Sequence, residues 1–288
     1  MGKRLFGKSI VITGSTSGIG LAAAQALTSA GVFVIGVGRN EARIEKAKQA
    51  ILKNHSEAHI DFVLGDLSSQ DQVKAIAEEI KTILNQNNID HLAGLVHSAG
   101  VYLEKKHLTD IGLETTFAVN HLASFLLTHD LLPLLKNTNK AKIISVSSYS
   151  HRTTPLSLNR IAHPKPYLGL LAYKRSKLCN VLFTFELNRR YPELAAFAVD
   201  PGLVNTSIAS KGSRGISHWV WKSRREKGMS PEVPARTILF LALEDDIDPS
   251  KGCYIKNCEP KTPSRKAQSE VLAKELWDYS CQLTRTKW

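Results

Sequence analysis

Short apolar runs alternate with amphipathic stretches along the chain. Ser9–Thr13 reads Ser-Ile-Val-Ile-Thr, the β-branched composition of a strand. Comparable runs recur at Val32–Val37, Ile60–Leu64, His91–His97, Lys142–Val146 and Ala195–Val199. Helical patterns separate them: one through Leu27, then Glu41–Lys53, Gln70–Leu84, Phe117–Leu135 and Leu170–Arg190. Strands that alternate with helices in this way predict an α/β fold, a doubly wound parallel sheet of about seven strands with helices on both faces. Two segments, Ser150–Gly169 and Ala209–Pro231, leave the regular pattern. The tail, residues 253–288, carries another strand-like piece and a final helix near Glu270–Leu283. No repeat, low-complexity linker or composition break divides the chain, so residues 1–288 are expected to form one domain.

The first strand runs into Thr13-Gly14-Ser15-Thr16-Ser17-Gly18-Ile19-Gly20, which opens a helix. Glycines there let the backbone turn tightly and approach a pyrophosphate, held by the positive end of the helix. This is the nucleotide-binding corner of a Rossmann fold, although a purely structural turn has the same composition. The second strand ends at Val37-Gly38-Arg39-Asn40. An acid at this place holds the ribose 2′-hydroxyl of NAD, whereas an arginine accommodates the 2′-phosphate of NADP. Arg39 therefore points to NADP(H) over NAD(H), against the plainer reading of a solvated arginine. Asp66, after the third strand, is an acceptor for the adenine amino group.

Tyr173 and Lys177 stand four residues apart, a spacing that stacks them on one helix face. An ammonium beside a phenol favours the phenolate and pulls the tyrosine toward neutral. Such a tyrosine can exchange a proton with a substrate oxygen. Taken alone the pair is weak evidence, because Tyr and Lys meet at this spacing on many surface helices.

Composition narrows the rest. The chain is 43% hydrophobic and 22% charged with a formal net charge of +12. A nucleic-acid surface, an anionic membrane and a polyphosphate ligand would each explain that charge, as would a merely basic surface. No zinc-finger spacing or RNA-binding aromatic signature accompanies the cations, so nucleic acid is not expected as a partner. Cys179, Cys253, Cys258 and Cys281 fit neither a metal site nor a disulfide framework, and read as reduced thiols. The basic N-terminus lacks a following apolar region, and Leu122–Leu135 is too short and too polar to span a bilayer. A cytoplasmic location is expected.

Several further residues appear in a telling order: Ala99-Gly100, Asn120, Ser147-Ser148, then Tyr173 with Lys177, and Pro201-Gly202. With the glycine turn and Asp66, they resemble the short-chain dehydrogenase/reductase family over roughly residues 5–285. The resemblance implies an oxidoreductase with Asn120, Ser148, Tyr173 and Lys177 as the catalytic set. Ser148 would hydrogen-bond the substrate oxygen and Tyr173 would be the general acid/base. Lys177 would lower the Tyr173 pKa and bind the nicotinamide ribose, and Asn120 would hold a water of the proton relay. The cofactor set would comprise Thr13, Gly14, Ser15, Ser17, Gly18, Ile19, Gly20, Arg39, Asp66, Leu67, Ser98, Ala99, Gly100, Tyr173, Lys177, Pro201, Gly202, Val204 and Thr206. No metal is expected. One departure stands out: His97-Ser98-Ala99-Gly100 replaces the family's usual Asn-Asn-Ala-Gly. It leaves open how the central sheet and the cofactor loop are tied together.

The long gap between Ser148 and Tyr173 is similar to that of the retinol-dehydrogenase-like branch. The segments around Asn120-His121, Ser176-Lys177-Leu178 and Leu276-Trp277-Asp278 agree. That branch implies interconversion of an alcohol and an aldehyde or ketone on a lipophilic molecule, retinoid-, steroid- or fatty-aldehyde-like, with NADP. The alternatives are a catalytically idle NADP-binding redox sensor and a sugar-nucleotide epimerase. A substrate lid falls around residues 209–231, where Trp219 and Trp221 sit among clustered cations. Residues 213–229 could touch a membrane peripherally, or bury those tryptophans on substrate and core. The Phe117–Leu135 helix lies where relatives often pair subunits, which suggests a homodimer.

Overall fold

The computed structural model describes residues 7–205, 228–245 and 247–288. The lid tryptophans, Thr206 and residues 213–227 of the membrane expectation lie outside the described residues. Eight strands form one sheet in the order β3-β2-β1-β4-β5-β6-β7-β8. They are β1 Ser9–Thr13, β2 Phe33–Gly38, β3 Ile60–Leu64, β4 Gly94–His97, β5 Lys142–Val146, β6 Ala195–Val199, β7 Tyr254–Lys256 and β8 Glu259–Pro260. The first seven are parallel and β8 returns antiparallel. The extra strand beyond those expected is this two-residue return, too short to leave a pattern in sequence.

The helices are α1 Gly18–Ser29, α2 Glu41–Asn54, α3 Gln70–Gln86, α4 Thr115–Phe117, α5 Ala123–Lys136, α6 Gly169–Arg190, α7 Glu232–Leu243 and α8 Glu270–Thr284. Helix α7 was not anticipated from the sequence. Its run Ile238-Leu239-Phe240-Leu241 is apolar nearly throughout, so no amphipathic rhythm marks it. The long helix expected over Phe117–Leu135 is interrupted by a π-helical turn at Ala118–Leu122 between α4 and α5.

The interior strands have no solvated face. Successive residues of β1 alternate between two apolar layers, Val11 facing one and Ile10 and Ile12 the other. The first layer joins α3, α5 and α6, and the second joins α1 and α7. Each aliphatic side chain buried this way contributes about 1.5–3 kcal/mol, which holds the strand ends rigidly where the cleft forms. Helix α5 is covered by the chain's own C-terminal part. Phe125 lies 5.1 Å from Trp277 and 4.9 Å from Trp288 between ring centroids, and Leu126, Leu127, Leu131 and Leu135 are buried.

Candidate active site

Strand order reverses between β1 and β4, and ligand crevices of such sheets open outside the strand C-termini at that point. Here a cleft of about 760 Å³ is walled by residues that follow those ends. They include Gly14 after β1, Arg39 after β2, Asp66 and Leu67 after β3, Ser98, Ala99 and Gly100 after β4, Ser148 after β5, and Pro201, Gly202 and Val204 beyond β6.

The glycine turn forms one end. Gly14 has φ of 70°, and a Cβ there would lie 2.8 Å from the Ala99 Cα. Only glycine permits both the left-handed backbone and that approach. Ser17 occupies the N-cap of α1 without a side-chain cap bond, and no acid stands in the first turn. The first N–H groups of α1, with Ser17, Gly18 and Ile19 lining the cleft, therefore present a positive helix end to an anion. These features fit the pyrophosphate of a dinucleotide. Thr13, Ser15 and Gly20 do not line the cleft, and act behind it. The Thr13 hydroxyl accepts from Ala99 N–H at 3.2 Å and donates to Val96 O at 3.4 Å. Ser15 is buried with its hydroxyl 3.5 Å from Val37 O. A Cβ at Gly20 would strike the Gly14 carbonyl at 2.4 Å.

These contacts also answer the departure at His97-Ser98. His97 is buried, with Nε2 2.8 Å from the Thr128 hydroxyl, and so ties β4 to α5. The loop is tied by Thr13 to Ala99 N–H instead. Burial lowers the His97 pKa to about 3, so the ring is neutral. Ser98 lines the cleft.

Arg39 lines the cleft beside a residue the sequence reading missed. Arg43 stands one turn further along α2 and faces the same space with Gly38, Asn40 and Thr16. The Asn40 side chain caps α2 by accepting from Arg43 N–H at 3.0 Å, which sets the helix start and the side on which both guanidiniums lie. The signal was in the sequence: arginines at i and i+4 straddle an N-cap. The Asp66 carboxylate accepts from Ser68 N–H at 2.9 Å, and both residues line the cleft.

At the other end Tyr173 and Lys177 project from α6. The Lys177 Nζ lies 5.6 Å from the Tyr173 ring centroid and donates to Val146 O at 2.9 Å. Ser148, just after β5, acts to lower the Tyr173 pKa and lines the cleft. The Ser147 hydroxyl donates to Lys177 O at 2.8 Å, fastening β5 to α6, and Ser145 is buried within the sheet. His151, another residue not anticipated, pins Ser148 from behind. Its Nδ1 donates to Ser148 O at 2.7 Å and its Nε2 accepts from Ser264 N–H at 3.2 Å.

One expectation needs correction. The Tyr173 pKa is not pulled toward neutral in the protein alone. Burial pushes it up to about 12, the Asp200 charge adds to the rise, and the Ser148 hydrogen bond pulls the other way. Lys177 does not offset this, because burial lowers its own pKa to about 8 and its ammonium is turned onto Val146 O. The Asn120 side chain, in turn, is a clamp. Its Nδ2 donates to Val101 O at 3.0 Å and the Ser176 hydroxyl at 2.9 Å, and its Oδ1 accepts from Val101 N–H at 2.7 Å. Both amide protons are thereby used, so a relay water would meet Asn120 at an acceptor oxygen. Asn120 also joins the loop after β4 to α6 one residue before Lys177. The π-helical turn lets it reach both, a placement that helix periodicity does not reveal.

A family model described as short chain dehydrogenase matches residues 8–216. The chain belongs to the short-chain dehydrogenase family. It is 35% identical over 296 aligned residues to the WW domain-containing oxidoreductase of Gallus gallus, covering 99% of this chain and 70% of that protein. It is 32% identical over 284 residues to Retinol dehydrogenase 12 of Mus musculus, covering 98% and 88%, in line with the branch expected from the sequence. A solved structure from Mycobacterium paratuberculosis superposes with a TM-score of 0.75 at 28% identity, over 98% of this chain and 95% of that one. No helix among the described residues is long and apolar enough to cross a membrane.

Proposed function

We propose that this protein is an NADP-dependent oxidoreductase that interconverts an alcohol and an aldehyde or ketone on a lipophilic small molecule. The observation that carries the reading is that Ser148, Tyr173 and Lys177 line one cleft, with the Lys177 Nζ 5.6 Å from the Tyr173 ring, and that this cleft begins at the α1 N-terminus. When bound, the nicotinamide cofactor supplies or accepts the hydride. Ser17, Gly18 and Ile19 would hold its pyrophosphate, Arg39 and Arg43 its 2′-phosphate, and Lys177 its ribose.

The chain's own task is to orient the substrate and move one proton. As a carbonyl is reduced its oxygen gathers negative charge, and preorganised hydroxyl donors stabilise that charge. Ser148 and Tyr173 would supply two such donors to that oxygen once substrate is bound. Tyr173, its pKa raised further by burial, is protonated at neutral pH and arrives as the proton donor that reduction needs. Tyr102, Leu103, Tyr149, Leu170 and Leu203 line the space around them. That largely apolar lining and the similarity to Retinol dehydrogenase 12 support a lipophilic substrate.

The test is NADPH oxidation across retinal, long-chain aldehydes, steroids and small ketones, with Tyr173→Phe as the control. Turnover that Tyr173→Phe abolishes, with NADPH binding kept, is the expected result. Turnover undiminished in Tyr173→Phe would remove the assigned proton donor. NADPH binding without turnover across the panel would favour a redox sensor.

A further inference from the structure

The charge around the cleft is unevenly used. Among the described residues that line it, Asp66 is the one carboxylate, and it belongs to the end with Arg39 and Arg43. The cleft also carries two lysines that the proton chemistry does not employ, Lys174 and Lys256. Lys174 follows Tyr173 on α6, and its Nζ donates to the Thr153 hydroxyl at 3.1 Å, leaving two of its three protons. Lys256 ends β7 and, among the described residues, takes part in no ion pair.

The 3₁₀ turn Tyr149–Thr153 meets Lys174 through the Thr153 hydroxyl. Arg152 from this turn lies 6.0 Å from the Tyr254 ring, two residues before Lys256 on the same side of β7. The turn also supplies the Ser150 hydroxyl, buried and without a partner among the described residues. The nearest buried acid in sequence, Asp200, does not line the cleft, and its Oδ1 accepts from Gly202 N–H at 3.0 Å. Lys174 and Lys256 thus line a cleft that Tyr102, Leu103 and Leu170 also line. Cations that make no ion pair among the described residues, beside a low-dielectric wall, favour an anionic ligand.

We propose that the physiological substrate carries a carboxylate, seated between Lys174 and Lys256, in addition to its apolar body and reacting oxygen. This deepens the oxidoreductase reading and rests on it for the position of the reacting group. A neutral retinoid or alkanal would leave both lysines idle. A lipophilic oxo- or hydroxy-acid engages them and keeps the apolar contacts.

The experiment compares ω-oxoalkanoates, in a graded series from succinic semialdehyde to the dodecane homologue, with their methyl esters, using NADPH and the intact protein. At the chain length that fits, the acid should exceed its ester in kcat/KM by about tenfold, the factor one charge-assisted hydrogen bond supplies. That ratio should fall toward one in the Lys174→Gln/Lys256→Gln double variant and persist in Lys256→Arg. Esters that match or beat the acids at every length overturn the proposal. So does an acid preference that survives in the double variant.

Binding of the same probes to NADPH-loaded Tyr173→Phe, followed by nucleotide fluorescence, gives a readout independent of turnover. Acid-selective binding without turnover in the unmodified protein would leave the carboxylate site standing and sink the oxidoreductase reading. Equal binding of acid and ester would overturn the carboxylate site.

Discussion

Replacing Arg39 and Arg43 by alanine, singly and together, tests the nucleotide end of the cleft. Both arginines line it, and neither is needed to form α2, whose cap is the Asn40 side chain. A guanidinium–phosphate contact is a charge-assisted hydrogen bond of about 1.5–3 kcal/mol. Both side chains are exposed, so solvent screening places each near the lower figure, about 1.5 kcal/mol. At ~1.4 kcal/mol per factor of ten, each single variant should lose about tenfold in kcat/KM for NADPH and the pair about a hundredfold. NADH has no 2′-phosphate, so its kcat/KM should move by no more than about twofold. The assay is initial rates with both nucleotides, supported by the affinity of 2′,5′-ADP against 5′-ADP, which needs no turnover. An additive double variant would mean two independent contacts, and a shortfall would mean that the arginines share one oxygen. If the double variant keeps its NADPH preference, or loses NADPH and NADH activity equally, the 2′-phosphate assignment is wrong.

Other consequences can be measured directly. Asp200→Asn removes a charge that raises the Tyr173 pKa. The alkaline limb of the reductive pH profile should therefore move to lower pH, whereas a merely structural role would lower the rate without moving the limb. His97 and His121 are buried, and their pKa values are lowered to about 3. The folded state therefore binds fewer protons than the unfolded one below about pH 6.5, and stability falls with pH there by about 1.4 kcal/mol per unit for each ring. Buried Glu114, whose pKa is raised, works in the opposite sense. Urea midpoints at neutral and mildly acidic pH should show the loss, and His121→Gln should roughly halve it; a flat profile would contradict neutral burial. Asn120→Ala removes the clamp between Val101 and Ser176 and leaves buried backbone groups unpaired, a cost of about 1–3 kcal/mol. It should lower both thermal stability and kcat, and a loss of kcat at unchanged stability would contradict the clamp. Helix α5 is covered by Trp277 and Trp288 of the same chain, so light scattering should report a monomer of 31.8 kDa, and a dimer broken by substitutions on α5 would refute that.

Much of the molecule was legible before any coordinates. Strand and helix alternation, the glycine turn and the order of Ser148, Tyr173 and Lys177 are local or sequential properties. Apolar runs report burial, a glycine before a helix reports a tight turn, and chain order survives folding. Helix α7 escaped because a helix apolar on most sides has no rhythm. Arg43 could have been found from its i+4 relation to Arg39. His151 and Lys256 could not, because nothing near them in sequence says that β5, the 3₁₀ turn and β7 converge.

The sequence alone determined the fold class, the family resemblance and the residue types available for proton and hydride chemistry. Only the tertiary structure decided what those residues do to one another. It ties the Asn120 side chain to Val101 and Ser176 and turns Lys177 onto Val146 O. Through burial it raises the Tyr173 pKa, and it sets two lysines in the wall of the cleft. The physical reason is that a pKa and a hydrogen-bond partner depend on solvent exclusion and on atoms distant along the chain, and packing alone sets both.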